Sequence, residues 1–191
     1  ERVEYRLPHA AQTETHNGVS TAAALRASLR QHPDILMVGD VRDQESVSLI
    51  VAAAARGIFV LAGTTDEELL PEADTLVRTA IVRRLATKQF GAVQPLSRAE
   101  SDALEGAANF TRVYEALKEE GGIEQNTPWK DVTFSHPTPS TDQPSGYEGR
   151  LGVQEVIAPG FETLNIVEDA LFKAAQGQTS VEEAITLVKY D

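Results

Sequence analysis

Two four-residue apolar runs, Ile35-Leu36-Met37-Val38 and Ile58-Phe59-Val60-Leu61, flank a segment of helical composition, Asp43 to Arg56. A short run of apolar residues without polar alternation has the length and character of a fully buried strand. Gly39 follows the first run, Gly63 follows the second, and Gly57 suits the end of the intervening helix. Strand, helix and strand within about 30 residues form a βαβ unit, which requires a parallel pair of strands and a crossover. Upstream, Ser20 to Gln31 is rich in Ala, Leu and Arg, offers Ser20 as an N-cap and stops before Pro33, as a helix does. The first part of the chain therefore reads as alternating α and β.

The remainder is patterned differently. Leu76 to Phe90 reads as a helix with Arg78, Arg83, Arg84 and Lys88 as a basic face. Ser97 and Glu100 have capping-box spacing and open a helix expected to run to about Glu120, ending at Gly121-Gly122. Residues 123–146 are rich in Pro, Thr, Ser and Asp and read as a loop with a short strand at Val132 to Phe134, with Trp129 as a small core or lid anchor. Gly149 to Ile157 alternates as a strand does. Helices follow near Leu164 to Gln176 and Val181 to Val188, the second opened by another capping box, Ser180 and Glu183. The expected architecture is an α/β core over residues 1–95, then a mostly helical lobe with a small β-element over 96–191.

Charge and composition narrow the function. With 17 Lys+Arg against 29 Asp+Glu the net charge is −12, the wrong sign for a general nucleic-acid binder, which must neutralise phosphates. Zero cysteines remove disulfides, thiol catalysis and Cys-based zinc sites. No apolar run reaches the ~18–20 residues that cross a bilayer, and no long cationic amphipathic helix offers direct membrane insertion. The start has no secretory-signal pattern, so a cytoplasmic location is expected. The chain opens at Glu1 without a methionine and inside a patterned segment, so a piece of a longer protein is expected. The four histidines (His9, His16, His32, His136) lack the spacing of a metal site along the chain.

The residues that carry chemistry surround the first strand. An apolar strand delivers Asp40 at its carboxyl end, just past Gly39, and that end of a parallel sheet is where α/β proteins place ligands. A carboxylate there can hold Mg²⁺ or polarise an attacking water, and Arg26, Arg30 and Arg42 can stabilise phosphate charge. The same residues also fit a plainer account, in which Asp40 caps the following helix and the arginines are solvated.

The segment from Leu25-Arg26 through Leu29-Arg30-Gln31-His32-Pro33-Asp34, four apolar residues and Gly39-Asp-Val-Arg-Asp43 resembles the Walker B region of the type II secretion and type IV pilus assembly ATPases. Glu1-Arg-Val-Glu-Tyr5 resembles the end of that family's acidic box, and Gln12 and Gly18 fall where the family has Gln and Gly. Ile81-Val-Arg-Arg-Leu85, Gly146-Tyr-Glu-Gly-Arg-Leu-Gly-Val-Gln-Glu155 and Gly177-Gln-Thr-Ser-Val-Glu-Glu183 resemble later family motifs in the same order. The resemblance implies part of a RecA-like P-loop ATPase core, a parallel sheet with helices, followed by the C-terminal lobe. It implies a ring hexamer of identical subunits, peripheral to the cytoplasmic side of the inner membrane. Its partners would be an inner-membrane platform protein and pilus or secretion components, and its cofactors ATP and Mg²⁺. On this reading Asp40 takes the Walker B acidic position and Glu1 or Glu4 stands for the acidic-box carboxylates. Gly39, Arg26, Arg30, Arg42, Thr64, Thr65 and Arg150 are the candidate nucleotide or subunit contacts, although Arg150 fits an ion pair at a strand edge equally well.

The departures from the family pattern also carry information. No G-x-x-x-x-G-K-S/T motif is present and none of the five lysines follows a glycine, so the phosphate-binding loop is expected upstream and tight ATP binding by this chain alone is not. Ile58 and Thr65 stand where the family's His box has histidines, and Thr64 or Thr65 can still donate a hydrogen bond. Asp40 is one methylene shorter than the family's glutamate, about 1.5 Å less reach for positioning water. The four-cysteine zinc motif is replaced by Ala86-Thr-Lys-Gln-Phe90, so a structural metal is not expected. These losses favour a second reading, a degenerate and weakly active or inactive relative serving as scaffold or regulator. A third is an acidic α/β interaction module with no nucleotide chemistry.

Overall fold

The structure is a computed structural model that describes residues 3, 5–15, 18–69, 75–86 and 92–188. The chain divides into two compact units, residues 1–73 and 74–191.

In the first unit, α1 (Thr21–Leu29) is opened by Ser20, whose Oγ accepts from the Ala23 N–H at 3.1 Å. It ends where His32 takes a left-handed φ of 51° ahead of Pro33. Strand β1 (Ile35–Val38) lies parallel to β2 (Phe59–Ala62), in register from Ile35 opposite Phe59 to Val38 opposite Ala62. Helix α2 (Gln44–Ala54) makes the crossover, and Gly57, at φ +89°, turns the chain into β2. The βαβ unit expected from the sequence is present. Its burial is not as expected. Leu36 and Val38 pack with Leu25, Val41, Val47, Ile50 and Ala53 beneath the helices, while Ile35 (64 % exposed), Met37 (73 %), Phe59 (61 %) and Leu61 (49 %) face outward on the other side. Helices cover one face of this pair among the described residues, and an unbroken apolar sequence does not by itself supply a second layer.

The second unit is built on a long antiparallel ribbon, β3 (Leu76–Leu85) with β6 (Tyr147–Ile157), with a register shift between Arg83 and Leu85. The helix expected over 76–90 is therefore a strand through 85, and residues 87–90 lie outside the described set. Val77, Thr79, Ile81 and Val82 are β-branched and stiff at χ1, which favours a pleated surface. The arginines read as a basic helical face instead alternate along the strand, with Arg78 paired to Glu155 at 2.9 Å.

The single helix expected from Ser97 to Glu120 is two, α3 (Arg98–Leu104) and α4 (Phe110–Glu119). Gly106 adopts φ +84°, which only glycine does cheaply, and Asn109 caps α4 by accepting from the Thr111 N–H at 3.0 Å. A short antiparallel pair, β4 (Ala92–Gln94) with β5 (Phe134–His136), lies two residues beyond the strand expected at 132–134. Helices α5 (Ile166–Ala175) and α6 (Val181–Leu187) complete the unit. Leu104, Val113, Leu117, Phe134, Val153, Val167, Leu171 and Val181 form one closed core. Trp129 anchors its edge, with ring centroids 5.5 Å from Phe110, 5.9 Å from Tyr114 and 5.8 Å from Phe134. The described residues thus form a mixed α/β chain with more β-structure in its second part than the sequence suggests. None of their helices is long and apolar enough to cross a membrane.

Candidate functional site

The carboxyl ends of β1 and β2 are pinched together by backbone. The Gly63 N–H donates to the Val38 carbonyl at 2.9 Å, and the Val41 N–H donates to the Gly63 carbonyl at 2.8 Å. A Cβ on Gly63 would lie 2.8 Å from the Gly39 carbonyl oxygen, closer than real side chains approach, so glycine is required at 63 by contact alone. Thr64 then closes the turn. Its hydroxyl donates to the Val41 carbonyl at 2.9 Å and accepts from the Asp66 N–H at 3.0 Å.

Each residue of the Gly39–Asp43 segment has a separate task. Gly39 offers the backbone carbonyl that a side chain at Gly63 would strike, and Val41 is buried with the core beneath the helices. Asp40, partly buried at the strand tip, is ion-paired with the exposed Arg42. Asp43, not Asp40, caps α2: one carboxylate oxygen accepts from the Ser46 N–H and the other from the buried Ser46 hydroxyl, both at 2.8 Å. The Ser46 N–H, then its hydroxyl, and the Glu45 N–H hold the Asp43 carboxyl below the usual carboxylate range against a smaller upward push from burial. The plainer account of Asp40 as a helix cap is overturned, because the cap falls three residues later, on Asp43, and Asp40 pairs with Arg42 instead.

The remaining predicted residues are distributed. Gly39, Asp40, Arg42, Thr64 and the exposed Thr65 gather at the ends of β1 and β2. Arg26 pairs with Glu45 and so joins α1 to α2. Arg30 is exposed at the end of α1, on the side where β1 begins. Arg150 lies on β6 opposite Arg83, in the second unit. Glu1 and Glu4 lie outside the described residues. Gln12, matched to the family on position, ties its own loop by accepting from the Leu7 N–H at 2.9 Å and donating to the Tyr5 carbonyl at 2.8 Å.

Sequence reasoning missed three carboxylate systems, all in the second unit, two of them buried. Glu168 is fully buried and accepts from the Asn109 N–H at 2.7 Å, the Arg112 guanidinium at 2.8 Å and the Asn165 N–H at 2.9 Å. Glu183, expected to complete a capping box with Ser180, instead accepts from the Arg83 N–H at 2.6 Å and its Nε–H at 2.8 Å. Only the Ser180 half of that box forms, with its Oγ accepting from the Glu183 N–H at 3.4 Å. The same Arg83 lies 4.0 Å over the Tyr147 ring, and Glu183 raises its pKa. Thr179 donates to the Arg83 carbonyl at 2.7 Å, so the Gly177–Glu183 motif locks α6 onto β3. The third system gathers Glu100, His136 and Glu182. Burial pushes the Glu182 carboxyl up, but hydrogen bonds from His136, its own N–H and Ser180 outweigh this and leave it lowered. The sequence signals were real: Asn165 and Glu168 have capping-box spacing, and that box forms in full. Spacing could not tell that Glu168 also binds Arg112.

Comparison with known proteins agrees with the order of these motifs. The profile of the "Type II/IV secretion system protein" family matches residues 1–188. The type IV pilus assembly ATPase PilB of Acinetobacter baylyi is 29 % identical over 194 residues, covering 87 % of this chain and 32 % of that protein. The type II secretion system protein HxcR of Pseudomonas aeruginosa is 29 % identical over 168 residues, covering 86 % of the chain and 31 % of the relative. The type II secretion system protein E of Xanthomonas campestris is 23 % identical over 211 residues, covering 98 % and 37 %. The chain thus spans about a third of the length of these relatives. With its motifs in family order and the profile matched from end to end, the chain belongs to the type II/IV secretion system protein family.

Proposed function

We propose that this chain is the Walker B and C-terminal part of an ATPase that powers type IV pilus assembly or type II secretion, working as a ring hexamer with ATP and Mg²⁺. The observation that carries the reading is the Asp40 carboxylate at the carboxyl end of a parallel βαβ pair, released from helix capping by Asp43. In this proposal residues 1–95 belong to a RecA-like core and 96–191 to its C-terminal lobe. The intact protein acts on the cytoplasmic side of the inner membrane, against a platform protein.

Asp40 would orient water or hold Mg²⁺ through its carboxylate oxygens. When bound, Mg²⁺ would supply positive charge against the nucleotide's phosphates. Thr64 holds the Val41 carbonyl and so fixes the height of the strand tip. Gly63 keeps a side chain away from the Gly39 carbonyl there. Arg42 sits ready to exchange its ion pair with Asp40 for phosphate charge, and Thr65 is exposed beside it. Arg26, engaged with Glu45, supports the two helices, while Arg30 and Arg150 remain as subunit contacts.

The Asp40–Arg42 ion pair also favours a second reading, a weak or inactive family member acting as scaffold or regulator, since the acid is already engaged. ATP turnover by the full-length protein separates the two. An active motor hydrolyses ATP and loses that activity with Asp40→Ala. Absent turnover, or turnover indifferent to the change, rejects the motor.

A further inference from the structure

The second unit holds a cluster that the proposed nucleotide chemistry does not use. Glu100 comes from the first turn of α3, His136 from the end of β5 and Glu182 from the first turn of α6. They are 36 and 46 residues apart in sequence, so spacing gives no sign of them; folding brings one ligand atom of each within 4.8 Å of the others. His136 Nδ1 is 3.0 Å from Glu182 Oε1 and 3.5 Å from Glu100 Oε1.

The charge pattern is unusual for a structural ion pair. Two carboxylates converge on a single nitrogen, which can offer at most one proton. His136 is 7 % exposed, and its Nε2 is buried without a hydrogen-bond partner. In a neutral ring only one nitrogen carries the proton: with Nδ1 protonated it donates to Glu182, and an ion bound at Nδ1 takes the place of that proton, which then sits on Nε2. Glu100 is already oriented. Its Oε2 accepts from the Ser97 N–H at 2.7 Å and the Ser97 hydroxyl at 2.6 Å, which leaves Oε1 for the cluster. Glu182 is half exposed, which leaves one side open to water.

We propose that Glu100, His136 and Glu182 form a binding site for a divalent transition-metal ion, with Zn²⁺ the best match. Donors about 2.0–2.2 Å from a tetrahedral ion lie about 3.3–3.5 Å from one another, so the two His136 separations require shifts of a few tenths of an ångström, while the two carboxylate oxygens, within 4.8 Å of each other, close by up to about 1.3 Å as the exposed Glu182 swings in. One imidazole and two carboxylates form a nitrogen–oxygen set that suits Zn²⁺ better than Mg²⁺ or Ca²⁺, which favour oxygen alone. The ion's two positive charges balance the two carboxylates, and water takes the fourth position. Bound there, it ties the starts of α3 and α6 to β5 and stiffens the second unit.

The test uses the untagged chain and two probes, Co²⁺ for its visible absorption and Zn²⁺ for competition. The expected result is the d–d spectrum of four-coordinate Co²⁺, saturating at about one ion per chain and erased by Zn²⁺, with Zn²⁺ also raising the melting temperature. Glu182→Gln removes an exposed ligand without opening the core and should weaken binding by about tenfold or more. His136→Ala should abolish it; if that variant does not fold, Glu182→Gln decides. A wild-type chain that gives no such spectrum, or Glu182→Gln binding as tightly as wild type, overturns the site.

Discussion

The two units meet the same problem, placing charged groups close to a folded core, in opposite ways. In the first, Asp40 sits at a strand tip with an exposed partner, next to a parallel pair whose outer face is apolar and uncovered among the described residues. In the second, Glu168 and Glu183 are buried and fully hydrogen-bonded within a core that is closed on all sides. Buried carboxylates with several donors hold elements in fixed relation but have no capacity left for a ligand. A carboxylate at an open strand end contributes little to stability and keeps that capacity. The difference separates a part with an accessible carboxylate from a part whose carboxylates are spent on holding shape.

The largest expected effect breaks the second unit. Glu168→Ala leaves the Asn109 and Asn165 N–H groups unpaired and the Arg112 guanidinium without its anion, at a cost of about 3 kcal/mol. Chemical denaturation of the wild-type and variant chains measures it. A loss below about 1 kcal/mol would show that the buried carboxylate is not what ties α4 to α5.

Next is the pinch in the first unit. Gly63→Ala should cost about 2 kcal/mol, because the new Cβ meets the Gly39 carbonyl oxygen, a backbone atom that cannot step aside. In the full-length protein it should also lower ATP turnover by displacing the strand tip. Unchanged stability and turnover would mean that the two strand ends are not tightly apposed.

How far the sequence carried the reading follows from these same places. The βαβ unit was legible to within two residues, since its strands and Gly57 are local signals, but its helix cap was read at Asp40 and falls on Asp43. The strand at 76–85 was not. Its arginines and leucines have good helix propensity, and only pairing with β6, some 70 residues away, selects the strand. Gly106 was the local sign of the break between α3 and α4, outweighed by the alanines beside it. Two segments, Gly39–Arg42 and Thr64-Thr65, were read from the sequence as candidates, and both lie at the ends of β1 and β2. The Arg26–Glu45 pair and the Glu100–His136–Glu182 cluster were not legible, because each joins separate elements.

A smaller effect sharpens the electrostatic side of the comparison. The folded Asp43 carboxyl titrates below its unfolded value, so its contribution is complete above the ordinary carboxylate pKa of about 3.9 and is lost as pH falls through the lower folded value. Asp43→Ala should destabilise the chain by roughly 1 kcal/mol at neutral pH, the usual worth of an N-cap. Its penalty should shrink on acidification below that range. A penalty that stays constant down to strongly acidic pH would contradict the cap.

The smallest effect on stability concerns the open face. Met37→Ser and Phe59→Ser should each change folding stability by no more than about 0.5 kcal/mol, since both side chains are largely exposed. They should nevertheless reduce self-association of the chain, measured by sedimentation velocity, because together they remove two of the four large apolar side chains on that face. A wild-type chain that sediments as a monomer at all concentrations would show that the face needs no cover.

The central claim is that Asp40 serves the chemical step and not the fold. It is tested most directly by measuring nucleotide affinity and ATP turnover together in the full-length protein carrying Asp40→Asn. The account predicts affinity within about threefold of wild type and turnover lower by about a hundredfold or more, the pattern of a group that acts in the transition state. Turnover equal to that of the wild type, with Asn at position 40, would contradict it.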